Sequence, residues 1–258
     1  YDWKILKPFI ESFRKYSNDR IILLVKNDID KKFISKLKSL KIELFFVNYA
    51  KYKILKKPGL SIGSVDTNQL RYKIYIDVIN KLKIRPKKIL LTDVRDVIFQ
   101  SNIFKHNWSS KINFFLEEQL IKNCPMNSRW LINTVGKKEY DKIKNNFISC
   151  SGTTLANYKE MLKYVKLMSK IIEDFPYKRP IRHVIIGKKV KPYDQGPHNY
   201  IIYNNFFKNQ KKHKNETSKI ATISFMKNIY LNKNIKLINK KKNLYSVIHQ
   251  YDRLDKKY

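Results

Sequence analysis

Apolar residues along this chain follow two rhythms that alternate. Asp2 to Tyr16 (DWKILKPFIESFRKY) repeats its apolar positions every three or four residues, which predicts an amphipathic helix. IILLV (Ile21 to Val25) and IELFFV (Ile42 to Val47) are short apolar runs between polar turns, and predict buried strands. Between them, Asp28 to Leu40 predicts a helix with Phe33, Ile34, Leu37 and Leu40 on one face. Lys51 to Asp66 holds Pro58, Gly59 and Gly63 and predicts a loop. Leu70, Ile74, Val78 and Leu82 return to helical spacing across Thr67 to Leu82. Lys87 to Asp93 and Lys111 to Glu117 predict a third and a fourth strand, and Asn146 to Cys150 a fifth. Thr154 to Glu173 carries the clearest helical stripe, through Leu155, Tyr158, Leu162, Val165, Met168 and Ile172.

Alternating strands and helices predict a single α/β domain, with a mainly parallel central sheet flanked by helices. In such sheets ligands bind beyond the carboxyl ends of the strands. After Phe175 the regularity fades. Residues 204–243 are rich in Lys and Asn with short apolar islands, and predict an irregular, partly mobile subregion. No internal repeat is visible.

Composition narrows the class. With 258 residues, 43% hydrophobic and 13% aromatic, the chain can bury a sizeable core and is not a disordered tail. No run of 18 apolar residues predicts a membrane-spanning helix, and the N-terminus lacks the layout of a signal peptide. Cys124 and Cys150 are too few for a disulfide framework, so the expectation is two reduced thiols in a cytoplasmic protein. Asn107-Trp-Ser and Asn215-Glu-Thr match the glycosylation sequon at a frequency expected by chance in so Asn-rich a chain.

The net charge of +34 invites a nucleic-acid reading. It comes from 46 Lys and only 9 Arg, with the Lys spread among Asn and Ile along the whole chain. A reader of base edges concentrates Arg for bidentate contacts, so the pattern reads as a solvated surface with no specific nucleic-acid partner. Attraction to anionic ligands and to an anionic membrane surface remains.

One segment stands out for chemistry. In ILLTDVRDVIFQ (Ile89 to Gln100) an apolar strand runs into Asp93, Val94, Arg95 and Asp96. Two carboxylates three apart at a strand's carboxyl end suit a hard divalent cation that also holds a diphosphate. The structural alternative is a turn-capping Asp, with Arg95 paired to a surface acid. Arg71 lies in the helix before this strand, where a guanidinium can reach a phosphate. Asp194, Gln195, His198 and Asn199 cluster around Gly196, although Asp194 is also placed to cap a following helix. His249 ends a short apolar strand near the terminus and is a candidate metal ligand. Glu117 and Glu118 end FFLEE and are candidate bases, or else simply solvated acids. The chain has no GxxxxGK loop, and DVRDV lacks the second Asp of aspartyl phosphatases, so neither an ATPase nor that phosphatase class is supported.

Taken in order, Thr92 to Gln100 (TDVRDVIFQ), Ile148 to Thr154 (ISCSGTT), Asp194 to Tyr200 (DQGPHNY) and His249 to Arg253 (HQYDR) resemble GT-A glycosyltransferases. The likeness extends to glycogenin-like enzymes, which share an Arg-bearing helix, an acidic strand end, a DQG segment and a late His. It covers roughly residues 69–253. The resemblance implies a hexosyltransferase-like enzyme that moves a sugar from a UDP- or GDP-sugar to a hydroxyl of a glycan or other acceptor, with Mn²⁺ or Mg²⁺. It implies Asp96 and His249 as metal ligands, and Asp93 on the metal or on the donor's ribose. Arg71 and Arg95 would steady the donor or the acidic pair, Ser151, Gly152 and Thr153 would line the sugar pocket, and Asp194 and Gln195 would lie near the anomeric carbon. The spacing here is D-x-x-D where that class has D-x-D, and the first strand of such domains has no counterpart in the chain. The rival expectation, from the charge and the acidic pair, is a metal-dependent nuclease.

Overall fold

The computed structural model describes residues 2–52, 67–174 and 194–256. Residues 53–66 of the predicted loop, and residues 175–193, lie outside the described residues. Helix α1 (Trp3–Tyr16) starts where the Asp2 carboxylate accepts the Ile5 N–H at 3.0 Å. It buries Leu6, Phe9, Ile10 and Phe13, each contributing roughly 1.5–3 kcal/mol of apolar burial. Phe9 and Phe13 meet the Phe99 ring edge-on, so Phe13→Ala would cost about 3–5 kcal/mol.

Strands β1 (Ile21–Lys26) and β2 (Ile42–Val47) pair in parallel through helix α2 (Lys31–Ser39), which Asp30 caps. Helix α3 (Thr67–Asn80) leads to β3 (Ile89–Thr92) and β4 (Val97–Phe99). Then come β5 (Ile112–Leu120), α4 (Pro125–Val135), α5 (Lys137–Ile143), β6 (Phe147–Ala156) and α6 (Tyr158–Asp174). The chain ends with α7 (Gln195–Tyr203) and five short strands, β7 (Gln210–Lys214), β8 (Ile220–Thr222), β9 (Tyr230–Leu231), β10 (Leu237–Ile238) and β11 (Val247–His249).

The fold is mixed α/β, and its sheets are not mainly parallel. The four-stranded sheet runs β3-β6-β5-β7; β6 is antiparallel to both neighbours, and only β5 and β7 run parallel. Apolar runs reveal strands but not their direction. Two short helices, α4 and α5, carry the chain from β5 into an antiparallel β6, so the helical connection is not a parallel crossover.

Strand β5 is buried on both faces, which is why Phe114, Phe115 and Leu116 are apolar in succession. Phe114 faces α3, α6 and α7, while Phe115 faces α1 and a second sheet. That second sheet has the order β4-β11-β8. Helix α6 starts at Tyr158, four residues later than predicted, because residues 153–156 continue β6. Asn157 ends the strand and caps the helix, its Oδ1 accepting the Glu160 N–H at 2.8 Å.

The stretch 204–243 holds the four short strands β7 to β10, linked by turns and by side-chain bonds to the backbone. Both side-chain ends of buried Asn215 bond the backbone of Thr222, and the Gln100 amide reaches the backbone of Leu237 and Tyr245. Asn215 of the second sequon is itself buried. Cys124 and Cys150 are free thiols. Among the described residues no helix is long and apolar enough to cross a membrane.

Candidate metal centre

Asp93 and Asp96 stand where the two sheets part. Pairing of β3 with β6 sets Thr92 opposite Thr153, so Asp93 arrives beside Gly152, and its N–H donates to the Gly152 carbonyl at 2.9 Å. Pairing of β4 with β11 sets Val97 opposite His249, so Asp96 arrives beside that imidazole. The two intervening residues span the passage between the sheets. Behind His249 the backbone turns at Gln250, whose φ of 65° lies in the left-handed region, and the Gln250 N–H donates to the Asp96 carbonyl at 2.6 Å.

The three side chains converge. His249 Nε2 lies 4.0 Å from Asp93 Oδ2 and 3.9 Å from Asp96 Oδ1, and the three ligand atoms lie within 4.8 Å of one another. Two atoms that each bind one ion at about 2.1 Å stand roughly 3.0–4.2 Å apart, depending on the angle between them. The cluster therefore fits a cation. The Nδ1 of His249 has no partner, although the ring is buried. Gly152 makes room for this arrangement: a Cβ there would lie 2.5 Å from His249 Nε2 and 2.7 Å from Asp93 Oδ2.

The charges suit a cation too. Burial pushes the His249 imidazole down to about 4, against the pull of Asp93, so the ring is neutral and keeps a nitrogen lone pair. Burial works against the Asp93 carboxylate, but Arg71, His249 and Arg95 together outweigh it and hold Asp93 below its usual range. Burial, with Asp93 and Asp252 nearby, pushes Asp96 up to about 6. Two acids and a neutral imidazole crowd here, with Arg71 paired to Asp93 and the half-exposed Arg95 beside Asp96, at 3.9 Å. Arg95 also lies 3.5 Å from Asp252, so it steadies the acids.

Arg71 ties the centre to α7. Its Nη1 donates to Asp93 Oδ1 at 2.7 Å, and its Nη2 donates to Asp194 Oδ2. Burial opposes the charged guanidinium, but Asp194, Tyr72 and Asp93 together hold its pKa well above the ordinary value. Asp194 occupies the capping position of α7 yet makes no cap bond; its side chain turns to Arg71 and to the Tyr72 hydroxyl at 3.2 Å. Burial pushes the Asp194 carboxyl up, and Arg71 offsets part of that.

The other predicted residues divide. Ser151 accepts from Arg71 through Oγ at 3.3 Å and stands at the centre. Thr153 is fully buried in β6. Both ends of the Gln195 amide are bonded to the backbone, accepting from Ser151 N at 2.9 Å and donating to Ser149 O at 3.0 Å. His198 and Asn199 brace β6 in the same way, His198 through Ser149 Oγ and the Tyr164 hydroxyl, Asn199 through Ser149 backbone. Glu117 lies buried inside β5 with Oε2 unpaired, and burial pushes it up to about 7; Glu118 accepts the Lys227 N–H at 3.2 Å.

Sequence reasoning left out Tyr72 and Asp252. Tyr72 was legible only as the neighbour of Arg71, and Asp252 only as the acid inside HQYDR. Comparison of the chain with known protein families and with curated proteins found no match.

Proposed function

We propose that the chain is a metal-dependent glycosyltransferase that takes its sugar from a nucleoside diphosphate donor. The observation that carries this reading is the convergence of Asp93, Asp96 and His249 on one point at the end of β3, with Arg71 behind it. The mixed set of two carboxylates and one imidazole suits Mn²⁺ better than Mg²⁺, which prefers oxygen. When bound, such an ion neutralises charge that builds on a departing diphosphate.

The chain's own residues supply the rest. Arg71 is already paired with two carboxylates, so it acts as a positioning residue: it fixes Asp93 toward the ion and Asp194 toward the sugar. Gln195, His198 and Asn199 hold the ISCSG strand against α7, which sets the spacing between Ser151 and Asp194. Asp194 is the carboxylate in this reading that faces the transferring sugar, and the acceptor is a hydroxyl of a glycan or a similar molecule. The Lys-rich surface draws in anionic ligands and an anionic membrane face.

Incubation with a panel of UDP- and GDP-sugars and Mn²⁺ tests the reading. Release of UDP or GDP that EDTA stops and that Asp96→Asn abolishes supports it. Absence of both turnover and metal-dependent nucleotide binding across the panel overturns it.

A further inference from the structure

Strands β3 and β4 head the orders of the two larger sheets, and the candidate metal centre lies between them. Strands β7 and β8 end those orders. There the loop 106–109, β7 and the turn from β7 to β8 line a separate cavity of about 230 Å³, to which no residue of the metal centre contributes.

Strand β7 (QKKHK) has no aliphatic residue, and its period of two divides it. Lys212 and Lys214 lie over the rings of Tyr203 and Phe147. Lys211 and His213 stand on the other face, opposite Asn113 and Phe115 of β5, and line the cavity. Three contacts hold the His213 ring. It stacks on Phe115 with centroids 5.4 Å apart, meets Trp108 edge-on at 5.5 Å, and bonds Asn113 Oδ1 through Nε2 at 2.8 Å. Asn113 is buried and its Nδ2 donates to the Ser110 and Leu155 carbonyls, so Oδ1 accepts and His213 Nε2 carries the hydrogen. His213 Nδ1 is left without a bond among the described residues. His106, a second imidazole on the cavity wall, is tied through Nε2 to Ser246 Oγ at 2.5 Å and also keeps Nδ1 spare.

The charge of this wall is one-sided. Lys211 and Lys219 line it, and neither ammonium has a hydrogen bond or an ion pair among the described residues. No carboxylate among the described residues lines it: Glu216, in the same turn, is paired with Lys240 instead. Burial, then Lys219, pushes the His106 pKa down, and burial, then Lys211, pushes that of His213 down to about 4. Two uncompensated cations beside two fixed, neutral imidazoles make a site of positive potential for an anion.

We propose that this cavity binds a small phosphate monoester, with Lys211 and Lys219 as its counter-charges and the fixed His213 imidazole orienting one phosphate oxygen. A monoester carries about −1.5 to −2 charges at neutral pH, which two lysines match. Its monoanion donates a hydroxyl hydrogen to His213 Nδ1, and its dianion accepts from that nitrogen once protonated, so one bond forms either way. At about 30 Å³ per water the cavity spans roughly seven waters, more than four phosphate oxygens fill. The polar body of the ester therefore has room beside Trp108 and Thr217. The site uses no ligand of the metal centre and stands apart from the transferase reading.

Imidazole NMR of the intact, metal-free chain tests it, with glucose 6-phosphate as the probe and with glucose and NaCl at matched ionic strength beside it. The expected result is saturable movement of the His106 and His213 signals by the phosphate ester alone, while the His249 signals stay in place. Neither Lys211 nor Lys219 makes a side-chain bond that the fold uses, so their variants should fold. Lys211→Gln combined with Lys219→Gln should raise the dissociation constant about tenfold or more, as loss of charged hydrogen bonds does. Lys212→Gln, on the opposite face of β7, should leave it unchanged. Equal movement by NaCl overturns the proposal, since the attraction is then diffuse, and so does equal movement by glucose, which makes the cavity a neutral sugar pocket. Movement of His249 alone assigns the anion to the metal centre and overturns it as well, as does movement of no histidine at all.

Discussion

Gly152 lies so close to His249 that a single added methyl would stand 2.5 Å from both Cε1 and Nε2 of the imidazole. The same methyl would press on Asp93 Oδ2 at 2.7 Å, so one position controls two of the three candidate ligands. Gly152→Ala is therefore expected to displace the ring or the carboxylate while β6 keeps its pairing, since the backbone there has no left-handed φ. Overpacking of this kind costs about 1–3 kcal/mol. Mn²⁺ affinity, read by titration calorimetry, is expected to fall about 10–100-fold, as for other losses of ligand support. Unchanged affinity would mean that the ligands do not act together.

Arg71 presents a different test, because it is the shared partner of two acids, buried Asp194 and half-buried Asp93. Removing it leaves Asp93 and Asp194 without their shared ion-pair partner. Breaking a buried pair in this way costs about 3–5 kcal/mol, so Arg71→Ala should unfold at markedly lower urea concentration. Adding Asp194→Asn to Arg71→Ala should recover part of the loss, because it removes one of the stranded charges. Arg71→Lys keeps the charge but not the fork, and should fall between wild type and Arg71→Ala.

Glu117 gives a prediction with a definite pH window. Burial raises its carboxyl from about 4.5 to about 7 in the folded chain. Below pH 4.5 it is protonated in both states and costs nothing. Between pH 4.5 and 7 the unfolded chain loses the proton first, so stability declines as pH rises through the folded pKa. The shift corresponds to roughly 3 kcal/mol. Glu117→Gln should remove that decline, so the variant should be the more stable protein at pH 8 and gain little at pH 4.5. Denaturant titrations at the two pH values give the comparison.

The sequence showed some of these relationships and hid others, for physical reasons. β2 falls where its apolar run lies, and α1, β1 and α3 begin or end within two residues of their apolar patterns, because periodicity is a local property. The direction of β6 is not local: it depends on how α4 and α5 turn the chain, and the apolar pattern is the same either way. Asn157 carried a readable cap signal, with Glu160 three residues on, but the apolar stripe through Leu155 outweighed it. At the centre, the strand-end position of Asp93 was legible, and the structure gives Asp96 and His249 a common reason to be near it. D-x-x-D spacing was a puzzle while both acids were assigned to one strand. It becomes sensible once Asp93 closes β3 and Asp96 opens β4 in another sheet. Gln195 illustrates the opposite limit, since nothing in DQG distinguishes an amide bound to backbone from one bound to substrate.

Metal binding should follow the protonation of Asp96. Burial and the neighbouring acids raise that carboxyl to about 6, and a cation must displace its proton. Mn²⁺ affinity should thus be level above pH 7 and fall about tenfold per unit as pH drops below 6, with His249 adding a further loss only near pH 4. The stabilising effect follows the same curve: Mn²⁺ at a hundred times its Kd adds about 2.7 kcal/mol at neutral pH and progressively less in acid. Asp96→Asn and His249→Ala should each abolish the thermal shift that Mn²⁺ produces, because two remaining ligands hold a divalent ion weakly. EDTA should return the wild-type melting temperature to the metal-free value. A Mn²⁺ shift that survives Asp96→Asn would place the ion elsewhere and remove the basis for the proposed chemistry.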